Sequence, residues 1–166
     1  LCYATVDTDA VGSVRLPAAC CGVLGFKGSY DLISTKGILG DEAVDEFIRW
    51  MGHAAVTARS AADAALVLSA LAEHFGRDLA DGVVRLDRSV RIGVGTNFSP
   101  DAEVKQVFDK AVTVLRGSGY QVGEAIVPFG DPSQGSMANV QADRAGIAEQ
   151  AFADFDVILL STLQST

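Results

Sequence analysis

The stretch Thr8 to Gly25, reading TDAVGSVRLPAACCGVLG, sets one serine, Ser13, in a loop of small residues and follows it with Arg15, Pro17 and a compact Ala/Cys/Gly run. Chemistry at a serine needs backbone N–H groups aimed at a developing oxyanion, and only small neighbours let a substrate come that close. The hydroxyl is also a weak nucleophile until a neighbouring base takes its proton. Asp9 and Arg15 bracket Ser13, and their opposite charges predict an ion pair or hydrogen-bond brace that fixes the loop.

Other reactive side chains are sparse. His53 and His74 are the histidines, and no G-x-S-x-G elbow accompanies them, which argues against a hydrolase triad of that type. His74, at the end of a predicted helix, reads as a dipole partner rather than a base. No C-x-x-C or H-E-x-x-H pattern occurs, so neither a metal site nor a cofactor is expected. Cys2, Cys20 and Cys21 read as reduced thiols, and the adjacent pair reads as small hydrophobic filling. Gly93-Val94-Gly95 after a strand hints at phosphate binding, but the third glycine of that fingerprint is absent.

The run around Ser13 resembles the core of the amidase signature family, G-T-D-T-G-G-S-I-R-x-P-A-A-x-x-G-x-x-G. Thr8, Asp9, Gly12, Ser13, Arg15, Pro17, Ala18, Ala19, Gly22 and Gly25 all fall in register. The likeness continues through Gly25-Phe26-Lys27-Gly28-Ser29-Tyr30 and Ser34-Thr35-Lys36-Gly37-Ile38-Leu39, and returns in Thr57–Leu66 and Phe155–Thr162. It implies Ser13 as the nucleophile of an acyl-serine mechanism acting on carboxylic amides, with the backbone of Ala10, Val11 and Gly12 as oxyanion hole. It also implies a bridging serine and a neutral lysine from segments N-terminal to the signature. The chain is therefore expected to be a fragment or shortened member, inactive alone.

Two residues depart from the family pattern. Val11 replaces the first glycine before the serine, which either strains a left-handed position or narrows the acyl pocket. Asp7 replaces another glycine and adds a charge near Asp9. Lys27 and Lys36 are expected in wet, glycine-flanked loops, and neither is expected to act as the base. The rival reading is a non-catalytic amidase-like binding or receptor module, resembling some plant chloroplast-envelope import receptors; Val11 and the missing base favour it, and Ser13 favours the enzyme.

These residues need a scaffold, and the patterning outlines one. Leu1–Val6 reads as the body of a strand, and residues 1–40 form the signature segment. Gly40 to Gly52 reads as a polar connection with several inserted residues. A packing helix over 60–75 starts at Ser60, with Asp63 close to a capping box and Ala61, Ala65, Leu68, Ala72 and Phe75 as its apolar stripe. Residues 90–127 read as strand, helix, strand, a βαβ crossover. Its helix is expected to start with Ser99 as cap and Pro100 at the first position, to bury Val104, Val107, Phe108, Ala111 and Leu115, and to stop at Gly117 and Gly119. Residues 137–166 add a helix over Met137–Phe152 and a buried strand over Phe155–Leu160. The predicted fold class is α/β, a mixed β-sheet flanked by helices, incomplete, within a single partial amidase-like domain, 1–166.

Composition narrows the partners. The 166 residues are 49% hydrophobic, which suits a sizeable core. Thirteen basic against 21 acidic side chains give a formal charge of −8, without a Lys/Arg cluster, which argues against nucleic acid and anionic membranes as partners. The absence of a long apolar run or signal peptide, together with the thiol usage, points to the cytoplasm. The expected partner is a small-molecule amide, with self-association through an uncovered apolar face.

Overall fold

The structure, a computed structural model, describes residues 2–30, 32–38, 43–72, 89–127 and 146–163. Two compact units divide the chain, Leu1–Leu86 and Asp87–Thr166.

In the first unit the order is β1 (Ala4–Asp9), α1 (Arg15–Cys21), β2 (Leu24–Lys27), α2 (Glu46–Met51), β3 (His53–Ala58) and α3 (Ala61–Leu71). The strands form an antiparallel sheet in the order β1-β3-β2. Its register pairs Ala4 with Ala58, Asp9 with His53, and Lys27 with Ala55. The central strand, β3, has no counterpart in the sequence reading. Five of its six residues are buried, so no polar alternation marks it, and its alanines carry little strand preference. The Gly40–Gly52 connection is likewise not wholly irregular, because it contains α2.

Helix α3 follows its sequence signals closely. The Ser60 hydroxyl accepts the Asp63 N–H at 3.1 Å and donates to the Asp63 carboxylate at 2.7 Å. Ala65, Leu68 and Ala72 are buried as the stripe predicts, but Ala64 takes the buried place expected of Ala61, which is exposed. Phe75 and His74 lie outside the described residues. Val56 and Ala58 of β3 meet Ala64 and Leu68 of α3 to form the core of this unit, with Ala4, Leu24, Ile33 and Val67 packed around it.

Helix α1 lies close on β2. A Cβ on Gly25 would stand 2.8 Å from the Ala18 Cβ and 2.9 Å from the Val14 carbonyl oxygen, so the close approach needs glycine there. Gly22 ends α1 at φ 65, a left-handed cap whose N–H bonds the Ala18 and Ala19 carbonyls. Cys20 and Cys21 are exposed, which corrects their reading as core filling. They close the last turn of α1, where Ala18 is the buried residue.

The second unit contains β4 (Arg91–Gly95), α4 (Ala102–Gly117), β5 (Gln121–Ala125), a short helix over 146–151 and β6 (Val157–Leu159). Its sheet is parallel in the order β5-β4-β6. The crossover from β4 through α4 to β5 agrees with the sequence reading, and the α/β class holds for the chain. The cap of α4 is Asp101 rather than Ser99, since the Asp101 carboxylate accepts the Val104 N–H at 3.0 Å. Its inward face is Val104, Phe108, Val112 and Leu115; Val107 and Ala111 are exposed, one position off the expected stripe. Strand β6 is half-exposed rather than buried, with Val157 45% exposed. Of the helix expected over Met137–Phe152, only residues 146–152 are described, and they are helical to residue 151.

The glycines of β4 are explained by packing. A Cβ on Gly93 would lie 2.7 Å from the Phe155 ring, and one on Gly95 would run into a Leu160 methyl. The space beside them is filled by side chains, which replaces the phosphate-binding hint with a steric reason. Arg91 joins β4 to the segment before β6, since its N–H and guanidinium both donate to Asp156 and its carbonyl accepts the Asp156 N–H at 2.9 Å. Among the described residues no helix is long and apolar enough to cross a membrane.

Candidate active site

Strand β1 ends in Asp9, and the chain then turns through Ala10, Val11, Gly12 and Ser13 into α1. The turn is tight because Gly12 adopts φ 131, a conformation that side-chain-bearing residues rarely take. Asp9, fully buried, is the fixed point of the turn. Its carboxylate accepts the N–H groups of Gly12 at 2.7 Å, Val14 at 3.2 Å and Arg15 at 3.1 Å. It also takes two bonds from the Arg15 guanidinium, at 3.0 and 2.9 Å. Helix α1 has no side-chain cap of its own at Val14, so this distant carboxylate satisfies the donors its first turn leaves open.

Burial by itself raises the Asp9 pKa, but the Arg15 guanidinium and the N–H groups of Arg15, Gly12 and Val14 outweigh it and hold the carboxyl well below the usual carboxylate range. The same bond raises the Arg15 pKa, with burial opposing it. Asp9 and Arg15 thus meet as the predicted brace.

Lys27 is the second fixed point. It lies on β2 with its side chain only 13% exposed, not in a wet loop, because β2 packs beside the turn. Its ammonium donates to the Ala10 carbonyl at 2.8 Å and the Met51 carbonyl at 3.0 Å, and stands 4.0 Å from the Asp9 carboxylate. An ammonium so placed clamps the Ser13 loop to the end of α2. Lys36 is exposed, as expected. His53 is buried opposite Asp9; its Nδ1 lies 2.6 Å from the Met51 carbonyl, so that nitrogen carries the proton, and Tyr30 meets the ring edge-on.

Ser13 itself is exposed and opens onto a cavity of about 260 Å³. Thr8, Ala10, Val11, Thr35, Ile38, Ile48, Arg49 and Gly52 complete its walls. Val11 is thus one of the wall residues beside the serine, and Gly12 takes a positive φ in the turn. Among the described residues, no acceptor takes the Ser13 hydroxyl proton. The Gly12 N–H is committed to Asp9, whereas the Ala10 and Val11 N–H groups are not hydrogen-bonded among the described residues. Of the three residues expected to form an oxyanion hole, two thus hold an open donor. Asp7 is exposed and does not line the cavity.

Ile48 and Arg49 were invisible as site residues in the sequence, because they arrive on a helix inside a stretch that reads as a polar link. No spacing signal ties them to Ser13, some 35 residues earlier.

The Amidase family model matches residues 1–162. A glutamyl-tRNA(Gln) amidotransferase subunit from Alkalilimnicola ehrlichii is 33% identical over 141 residues, covering 77% of this chain and 28% of its own length. The corresponding protein from Synechococcus elongatus is 28% identical over 137 residues, covering 76% of this chain and 27% of its own. A solved structure of 6-aminohexanoate cyclic dimer hydrolase complexed with substrate is similar at TM-score 0.62 and 29% identity, over 74% of this chain and 28% of that one. An amidase family protein from Bacillus anthracis shares the fold at TM-score 0.53 and 18% identity, over 98% of this chain and 33% of that one. The chain spans little more than a quarter of the length of the curated relatives it matches.

Proposed function

This chain belongs to the amidase family, and from that premise we propose that it carries the nucleophile segment of an enzyme that hydrolyses carboxylic amides through an acyl-serine intermediate. The Ser13 hydroxyl oxygen attacks the amide carbon, and the carbonyl electron pair moves onto oxygen. The open N–H groups of Ala10 and Val11 receive that charge. Collapse breaks the C–N bond, the amine leaves with a proton, and water then cleaves the acyl ester to the acid. The observation that carries this reading is Ser13 exposed in a cavity at the end of a loop held rigid by Asp9, Arg15 and Lys27.

A base must take the Ser13 proton, and Lys27 is not that base, because its own protons are given to two carbonyls. The lysine and bridging serine implied by the family resemblance fill the role in our reading, and residues 1–166 alone are inactive. The partner is a small-molecule amide, with neither nucleic acid nor membrane bound directly. The three free cysteines fit a cytoplasmic setting. A second reading, an amidase-like binding module without turnover, is favoured by the absence of an acceptor for the Ser13 proton among the described residues.

A fluorophosphonate probe separates the two. The chain, joined to an amidase N-terminal segment that carries the lysine and bridging serine, is expected to be labelled at Ser13. Labelling of another serine, or of the Ser13→Ala variant, sinks the assignment; no labelling at all favours the binding module.

A further inference from the structure

The cavity beside Ser13 has apolar surface from Val11, Ile38 and Ile48, hydroxyls from Thr8 and Thr35, and one charged group, Arg49. No acidic side chain lines it among the described residues. Arg49 lies in the last turn of α2, is exposed, and forms no ion pair among the described residues. By contrast, the Arg15 and Arg91 guanidinium groups are each engaged by a carboxylate. A guanidinium without a carboxylate partner, on a residue that lines a cavity, is able to pair with an anion.

The backbone beneath Arg49 is held firmly. Its N–H bonds the Asp45 carbonyl at 3.0 Å, Trp50 stacks on Tyr30 at 5.6 Å, and Lys27 binds the Met51 carbonyl. The same Lys27 ammonium holds the Ala10 carbonyl, so one cation fixes both the serine loop and the helix that carries Arg49. Ser13 and Arg49 thus come to one cavity from two segments that Lys27 ties together. The volume, about 260 Å³, falls below the range of about 300–1,000 Å³ that suits drug-sized ligands, which restricts the acyl portion to a small one.

We propose that Arg49 is a specificity-determining residue of this cavity, selecting small amides whose acyl portion ends in a carboxylate. The inference rests on the acyl-serine reading for where the scissile carbonyl sits. Arg49 pairs with the carboxylate, the apolar walls take the intervening methylenes, and the amide end lies at Ser13.

The test is a ligand-observed NMR titration of the full chain with glutaramate and with its uncharged counterpart, glutaramide. Glutaramate is expected to bind about five- to tenfold more tightly, with the margin shrinking as salt is added. Arg49→Gln is expected to abolish the margin and Arg49→Lys to keep part of it. Arg59→Gln, an exposed arginine outside the cavity, should leave it unchanged. Equal binding of the two ligands, no binding of either, a margin that survives Arg49→Gln, or one lost in Arg59→Gln overturns the inference. Neither ligand needs to be turned over. A Ser13 that labels while the glutaramate preference is missing therefore overturns the role of Arg49 alone, and a preference without labelling overturns the acyl-serine reading alone.

Discussion

A carboxylate removed from water must find its partners inside the protein, and Asp9 finds five donors within 3.2 Å. Arg15, by contrast, keeps 44% of its side chain exposed, so the pair is asymmetric. Replacing Asp9 by asparagine removes the charge from a fully buried site and weakens three N–H contacts at once. The expected loss of stability at neutral pH is about 2–4 kcal/mol, read by chemical denaturation. Its pH dependence has a definite sign. The folded-state pKa is depressed, so the Asp9 contribution is fully present above the ordinary value of 3.8 and is lost as pH falls below it toward the folded value. The parent should therefore lose stability on acidification below that value while Asp9→Asn loses less, and the two curves should converge. Curves that stay parallel from neutral to acid pH would rule out this role.

Helix starts offer a sharper comparison at the scale of elements. The Ser99-Pro100-Asp101 run contains two residues able to cap α4, and the structure uses the second. Asp101→Ala is expected to cost about 0.5–2 kcal/mol, whereas Ser99→Ala should be close to neutral. Thermal melts of the two variants decide between them, and the reverse ranking would return the cap to Ser99. The inward face also differs from the expected one. Val112 is buried and Val107, 62% exposed, is not.

Two properties belong to the whole molecule. With no acceptor for the Ser13 proton among the described residues, the chain is expected to release ammonia from simple aliphatic and aromatic amides at the background rate. General-base assistance is worth about 10²–10⁴-fold, and its absence should be visible in a coupled ammonia assay. Turnover that disappears in Ser13→Ala would show that these residues contain a base after all. The second property is association. Strand β1 is an edge of its sheet among the described residues, and Val6 on it is 53% exposed. An open edge with apolar side chains favours pairing with another chain. Sedimentation velocity is expected to show concentration-dependent growth above the 17.3 kDa monomer, reduced in Val6→Lys. A monomer at every concentration contradicts it.

The sequence by itself determined what short-range chemistry encodes. Ser60 and Asp63 mark the start of α3, Gly117 and Gly119 mark the end of α4, and the β4–α4–β5 crossover is legible because strand and helix periods differ. Asp9 and Arg15 were legible as a brace because their opposite charges flank the five-residue serine loop. Only the tertiary structure decided the rest. Strand β3 is central because β1 and β2 pair with its two edges, and the burial of five of its six residues erases the alternation that would announce it. Lys27 reads as a surface lysine until β2 brings it beside Ala10 and Met51, and Arg49 reads as part of a link until α2 delivers it to the serine cavity. Local propensity is written in neighbouring residues; a cavity is made by residues far apart in the chain, and their meeting depends on how the sheet pairs.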